Sequence, residues 1–130
     1  MEHFIVFDID YFKKVNDNLG HVAGDEVLRA VCLIINEELR DIDSLTRWGG
    51  EEFLILLPNT TLDGAYQFAE HCREQIEQHD FNINQQVTIS LGMAQSRKDI
   101  TMKDMLKKVD DTMPISKQNG RNQATVADRE

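Results

Sequence analysis

Apolar residues along this chain recur with two different periods, and the changes of period divide it into elements. Phe4 to Ile9 is a short apolar run ending in acids, which predicts a buried strand. Tyr11 to Asn18 predicts a short helix with Asp10 as its N-cap. Gly20 and Gly24 bracket a turn, and a long helix follows from about Asp25 to Arg40, with Val27, Leu28, Val31, Ile34 and Ile35 on one stripe. Ser44 to Trp48 and Glu51 to Leu57 predict two strands joined at Gly49-Gly50, a hairpin signal; Pro58-Asn59-Thr60 ends the second.

A further helix spans Leu62 to His79, with Ala65, Phe68, Ala69, Cys72 and Ile76 facing inward. Val87, Ile89, Leu91 and Met93 alternate with Thr88, Ser90 and Gly92, the pattern of a half-buried strand. The last helix runs from Thr101 towards Lys117 with Met102, Met105, Leu106, Val109 and Met113 on its core side, and Gln123 to Ala127 predicts a short edge strand. Two hairpin strands flanked by crossover helices predict an α+β domain on the ferredoxin-like, split βαβ plan: helices on one face of a central antiparallel sheet. That plan serves phosphoryl-transfer enzymes and binding modules alike, so it fixes no function.

The chain has 130 residues, enough for one domain with a single core. Fourteen basic against 23 acidic residues leave a net charge of -9, which argues against nucleic acid or an anionic membrane as partner. A phosphorylated small molecule stays compatible, because divalent cations invert the local field. Cys32 and Cys72 lie on apolar helix faces with no metal-ligand spacing, so buried free thiols in a reducing compartment are expected. The first strand begins almost at once, which suggests a fragment of a longer chain.

The chemistry concentrates in Asp8-Ile9-Asp10 and Gly49-Gly50-Glu51-Glu52-Phe53. If the first strand lies beside the hairpin, these carboxylates converge and require a cation or protons to offset their repulsion; Mg²⁺ accepts such hard oxygen ligands. Taken singly, Asp8 and Asp10 would end a strand and cap a helix, and Glu51 and Glu52 would be exposed hairpin acids. Lys117 and Arg121 would be solvated charges, His21 a turn residue and Asp25 a cap for the helix after it. The methionines read as core.

Together these residues resemble the GGDEF family of diguanylate cyclases, in its GGEEF variant. Asp8 to Asp17 is similar to that family's D-x-D-x-F-K-x-x-N-D segment. Gly20-His21 with Gly24-Asp25, Val87 to Gly92, and Lys117 with Gly120-Arg121-Asn122 match further motifs in the same order. The resemblance implies a palm-type nucleotidyl cyclase condensing two GTP into cyclic di-GMP as a homodimer, cytoplasmic, and under an upstream sensory or regulatory domain. It implies Mg²⁺ (or Mn²⁺) held by Asp8, Glu51 and the Ile9 carbonyl, with Glu51 taking the ribose 3′-hydroxyl proton and Glu52 beside it. Asn16 and Asp25 would read guanine, with His21 in the same pocket. Lys13, Lys117, Arg121 and the amides near Phe12 would hold phosphates, and Gly49 and Gly50 would allow a sharp turn and close approach. Arg40 and Asp43 fit the family's inhibitory R-x-x-D product site; read alone, Arg40 is a favourable cation at a helix C-terminus and Asp43 a loop residue. The family's second inhibitory Arg position is occupied here by His71, with Arg73 nearby.

The resemblance also exposes two departures. The family's preceding helix and L-T-x-L-x-N-R segment are absent before Phe4, and Pro114 stands where Tyr is common, predicting a kink that displaces Lys117 and Arg121. The alternative function is a catalytically weak GTP or cyclic di-GMP sensor on the same fold. Loss of Asp8 or the hairpin acids would favour it, and all are present. A purely structural dimerisation module leaves the phosphate, base and metal positions without purpose.

Overall fold

A computed structural model describes residues 2–127; Met1 and residues 128–130, the ends of the predicted 1–130 domain, lie outside it. The order is β1 (Glu2–Ile9), α1 (Phe12–Leu19), α2 (His21–Glu38), β2 (Ser44–Arg47), β3 (Glu52–Pro58), α3 (Leu62–Gln78), β4 (Ile89–Gln95), α4 (Met102–Gln118) and β5 (Ala124–Val126). The five strands form one sheet in the order β2-β3-β1-β4-β5. Its centre is antiparallel, but the edge strand β5 runs parallel to β4.

β1 occupies the centre because its residues are apolar on both faces. Ile5, Phe7 and Ile9 pack with Val27, Val31 and Ile35 of α2 and with Ala69, Cys72 and Ile76 of α3. Phe4 and Val6 face the other way, onto Met105, Leu106 and Val109 of α4. Burying each such large side chain contributes roughly 1.5–3 kcal/mol. Phe7 stacks on its cross-strand partner Phe53, with ring centroids 5.0 Å apart.

Helices therefore cover both faces of the sheet, not one as the split βαβ reading expected. The same fact corrects β4, whose residues from Ile89 to Ala94 are all buried because α4 closes over the small side of the alternation. At Gly92 a Cβ would lie 2.2 Å from Thr112 Oγ1, so glycine lets α4 seat directly on the strand.

α2 begins at His21, four residues before the predicted start, and takes Gly24 into its first turns. Cys72 is buried, its thiol pushed up to about 12 by desolvation, whereas Cys32 is only half-buried. Met102 is 46% exposed and leaves the predicted core stripe. α4 runs unbroken through the exposed Pro114. Thr101 caps its start by accepting from the Asp104 amide at 3.1 Å.

Candidate active site

β1 delivers Asp8 to the α4 side of the sheet at the end where β3 begins. The antiparallel register sets Asp8 directly opposite Glu52, and opposed residues share a face. The Asp8 side chain is 7% exposed. Its Oδ2 meets Lys117 Nζ, from the last turn of α4, at 2.7 Å. Its Oδ1 is buried without a hydrogen-bond partner. Burial pushes the Asp8 carboxyl above its ordinary range, and Lys117 opposes that shift.

Glu52 is raised as well, first by burial and then by the charges of Asp110 and Asp8. Asp110 was not among the residues singled out from the sequence. Its signal was spacing: it lies two helical turns before Lys117 on α4, and so on the same face. Asp110 is itself raised by burial and by the neighbouring Asp111. Glu51 is half-buried in the hairpin loop, and its charge acts on Glu52.

The hairpin loop is closed by Trp48 and Gly49 amides donating to the Glu52 carbonyl at 2.8 and 3.2 Å. Arg47, also missed, donates from Nε to the carbonyls of Gly49 at 3.2 Å and Gly50 at 3.0 Å, and from Nη2 to Gly50. Neither glycine adopts positive φ, so the expected need for special turn geometry is not what selects them. A Cβ at Gly50 would meet nothing within 4 Å, and at Gly49 only Glu52 Cβ at 3.8 Å. Their bareness leaves open space beside the acids.

Asp10 does not cap α1. The N-cap position is Tyr11, in the left-handed region at φ 57°, with no side-chain cap bond. Asp10 instead accepts from Thr88 Oγ1 and Ser90 Oγ, both at 2.7 Å, and from the Asn122 amide at 3.1 Å. These partners come from β4 and from the loop after α4, beyond the reach of any local pattern. The same loop presents Arg121, which lies over the Tyr11 ring at 4.5 Å. Lys117 and Arg121 thus both arrive at the end of β1, and Pro114 displaces neither from it.

On the other side of the sheet, α1 carries buried Phe12, exposed Lys13 and half-buried Asn16. Asn16 packs against α2 where Gly24 sits: a Cβ there would lie 1.9 Å from Asn16 Oδ1. The next residue, Asp25, borders a groove of about 580 Å³ between α2 and the β2–β3 hairpin, with Leu28, Arg29, Cys32, Arg47 and Phe53. His21 is exposed at the first position of α2. Asp25 lies a turn into the helix and is not its cap.

Arg40 and Asp43 find each other. Arg40 Nη2 is 2.8 Å from Asp43 Oδ1, and its Nε donates to both carboxylate oxygens at 3.2 and 3.0 Å. Arg40 Nη2 also donates to the Pro58 carbonyl at 2.6 Å and Thr60 Oγ1 at 2.8 Å. Arg73 is held by Glu70 at 2.7 Å and by Asn122 Oδ1 at 3.2 Å, and His71 lies 3.1 Å from Glu38.

Among the described residues no three acid, imidazole or thiol side chains gather as a metal cage. The expected ligand set needs only two carboxylates and the Ile9 carbonyl. The buried, unpartnered oxygen of Asp8 has the chemistry of a hard-cation ligand, so the residues fit Mg²⁺. Among the described residues no helix is long and apolar enough to cross a membrane.

The structure is an α+β palm-type sheet in which Asp8 of β1 stands opposite Glu52 of β3, beside the glycine loop that joins β2 to β3. Residues 2–123 match the family model for "Diguanylate cyclase, GGDEF domain", and the chain belongs to that family. Diguanylate cyclase A of Treponema denticola is 40% identical over 129 residues, covering 95% of this chain and 34% of the relative. The active GGEEF domain of a diguanylate cyclase from Vibrio cholerae superposes with a TM-score of 0.90 at 32% identity, over 99% of this chain and 84% of that one. The GGDEF domain of DgcB from Caulobacter crescentus, in complex with c-di-GMP, gives 0.89 at 28% identity over 96% and 77%. The chain spans about a third of the length of curated relatives, 34% and 30% for two of them.

Proposed function

We propose that this chain is the catalytic domain of a diguanylate cyclase, converting two GTP into cyclic di-GMP and two pyrophosphates. The observation that carries the reading is the buried Asp8 carboxylate, ion-paired to Lys117 at 2.7 Å and set opposite Glu52. Asp8, Glu51 and the Ile9 carbonyl would hold Mg²⁺ or Mn²⁺. When bound, the ion lowers the pKa of the attacking hydroxyl and stabilises charge on the entering and leaving oxygens.

Glu51 accepts the proton of the ribose 3′-hydroxyl, with Glu52 beside it. The 3′-oxygen forms a bond to the α-phosphorus of the second GTP, and the bond to the β-phosphate oxygen breaks, releasing pyrophosphate. Lys13, Lys117 and Arg121 offset the triphosphate charge, together with the amides that open α1 near Phe12. Asn16 and Asp25 read the guanine edge, and the exposed His21 at the start of α2 belongs to the same nucleotide pocket. Gly49 and Gly50 leave the approach to the acids unobstructed.

One domain holds one GTP, so ring closure requires two copies with facing sites, a homodimer. Arg40 and Asp43 bind product and inhibit, and an upstream regulatory domain of the full protein governs pairing; this piece lies in the cytoplasm and touches neither membrane nor nucleic acid. The sensor reading draws its support from Lys117, which already offsets the Asp8 charge and competes with a cation.

The test is incubation with GTP and Mg²⁺, with products identified by chromatography and mass spectrometry. Cyclic di-GMP, lost in Asp8→Ala and Glu51→Ala, is the expected result. Nucleotide binding without product, even in a covalently enforced dimer, would overturn the catalytic reading in favour of the sensor.

A further inference from the structure

Asp10 is the one acid of the D-x-D segment that the proposed reaction leaves unused, yet it is 4% exposed and fully hydrogen-bonded. Two of its bonds, from Thr88 and Ser90, tie the end of β1 to β4. The third, from the Asn122 amide at 3.1 Å, reaches the loop after α4. In that loop Arg121 (φ 64°) and Asn122 (φ 48°) are consecutive left-handed residues, a conformation that side chains avoid unless the surroundings hold it. Asn122 is held again through its side chain, which accepts from Arg73 at 3.2 Å and donates to Glu77 at 2.6 Å.

Tyr11, the residue after Asp10, is also left-handed at φ 57°. Its ring lies 4.5 Å from the Arg121 guanidinium carbon, and its hydroxyl accepts from Arg121 Nη1 at 3.3 Å. Lys14 places its ammonium 4.8 Å from the same ring centroid. Two left-handed turns, 110 residues apart, therefore meet, and the Arg121 side chain of one rests on the Tyr11 ring of the other.

We propose that Asp10 and Tyr11 are positioning residues for Arg121: Asp10 fixes its backbone through the Asn122 amide, and Tyr11 holds its guanidinium by stacking. This rests on the reading of Arg121 as a triphosphate ligand. A free arginine loses several rotamers when it binds phosphate; one already fixed in backbone and plane loses fewer, so affinity rises with no new contact to the ligand. Cation–π contact suits this task because it constrains the plane and leaves N–H donors available.

The test measures binding of 3′-deoxy-GTP with Mg²⁺, a probe that cannot undergo the reaction, to the parent chain, Asp10→Ala, Arg121→Ala and the double variant. Each single change should weaken binding on the order of tenfold, the scale of one charged hydrogen bond. The double variant should bind no more weakly than Arg121→Ala alone. Multiplicative losses, or none in Asp10→Ala, overturn the inference.

Tyr11→Gly provides a second arm that does not depend on Asp10→Ala folding. It relieves the left-handed strain, so the melting temperature should hold or rise while binding weakens several-fold, and only where Arg121 is present. Unchanged binding would refute the stacking role. If Arg121→Ala binds as the parent does, the inference falls while the cyclase reading survives; if the parent fails to bind the probe, both fall.

Discussion

Lys117, in the last turn of α4, places its ammonium 2.7 Å from Asp8 Oδ2, joining two residues 109 positions apart at the end of the central strand. Asp8 is buried, so this cation offsets a charge that burial disfavours. Lys117→Met should therefore destabilise the domain by about 1–2 kcal/mol, the modest end of the range because the lysine is partly exposed. Adding Asp8→Asn should restore the urea midpoint but leave GTP turnover absent. A double variant no more stable than Lys117→Met would reject the pairing as a source of stability.

Gly24→Ala exploits the tightest approach beside the groove proposed to take guanine. Alanine favours helix, but its Cβ would collide with Asn16 Oδ1 at 1.9 Å. Asn16 is half-buried and can swing away, so unfolding should change little. GTP affinity should drop on the order of tenfold, the scale of a lost hydrogen bond to the base, and discrimination against ATP should erode. Calorimetric titration with both nucleotides decides it.

Asp110 raises the Glu52 carboxyl by charge repulsion. Removing that charge in Asp110→Asn lowers the Glu52 pKa, so its anion persists to more acid pH. The acid limb of the kcat/KM profile for GTP should move to lower pH, with the limb unmoved if Glu52 takes no part in turnover.

His3 is fully buried, its ring Nδ1 2.9 Å from the Thr60 carbonyl and its Nε2 without a partner. Burial lowers its pKa below the ordinary 6.5, against the raising effect of the Thr60 bond. The unfolded chain takes up a proton below 6.5 that the native ring refuses. Stability is therefore undiminished above that pH and declines as pH falls through it, down to the depressed native value. The raised carboxyls of Asp8, Glu52 and Asp110 act oppositely, gaining stability as they protonate in acid. Denaturant midpoints from pH 7.5 to 5.5 should show the histidine's decline, and His3→Gln should flatten it.

Arg40 is engaged by Asp43, Pro58 and Thr60. Product would compete with these partners for a half-exposed guanidinium, whose partner Asp43 has a side chain only 1% exposed. Arg40→Ala should weaken inhibition by added cyclic di-GMP on the order of tenfold with KM for GTP unchanged, and should also lower the melting temperature, because it strips the buried Asp43 carboxylate of its cation. Inhibition constants from initial rates measure this, and an unaltered constant would reject the product site.

The helices and strands were legible because apolar spacing reports which face is covered, and the acid and glycine motifs were legible because their order is distinctive. Misreadings fell where a partner is remote. Asp10 looked like a cap because the sequence shows its neighbour α1 and not Thr88, Ser90 or Asn122. Gly24 looked like a turn because glycine ordinarily breaks helices, whereas here Asn16 demands its bareness. β4 looked half-exposed because alternation cannot tell water from a second helix layer.

The sequence by itself determined the elements and the α+β class, since both follow from local spacing; the roles expected of its acid, basic and glycine motifs came from their resemblance to a family. Only the tertiary structure decided that Glu52 faces Asp8, that Lys117 neutralises it, that Asp110 joins them and that Arg40 closes on Asp43. Those relationships depend on strand register and on the seating of α4 across the sheet, which are settled by packing between segments far apart in the chain.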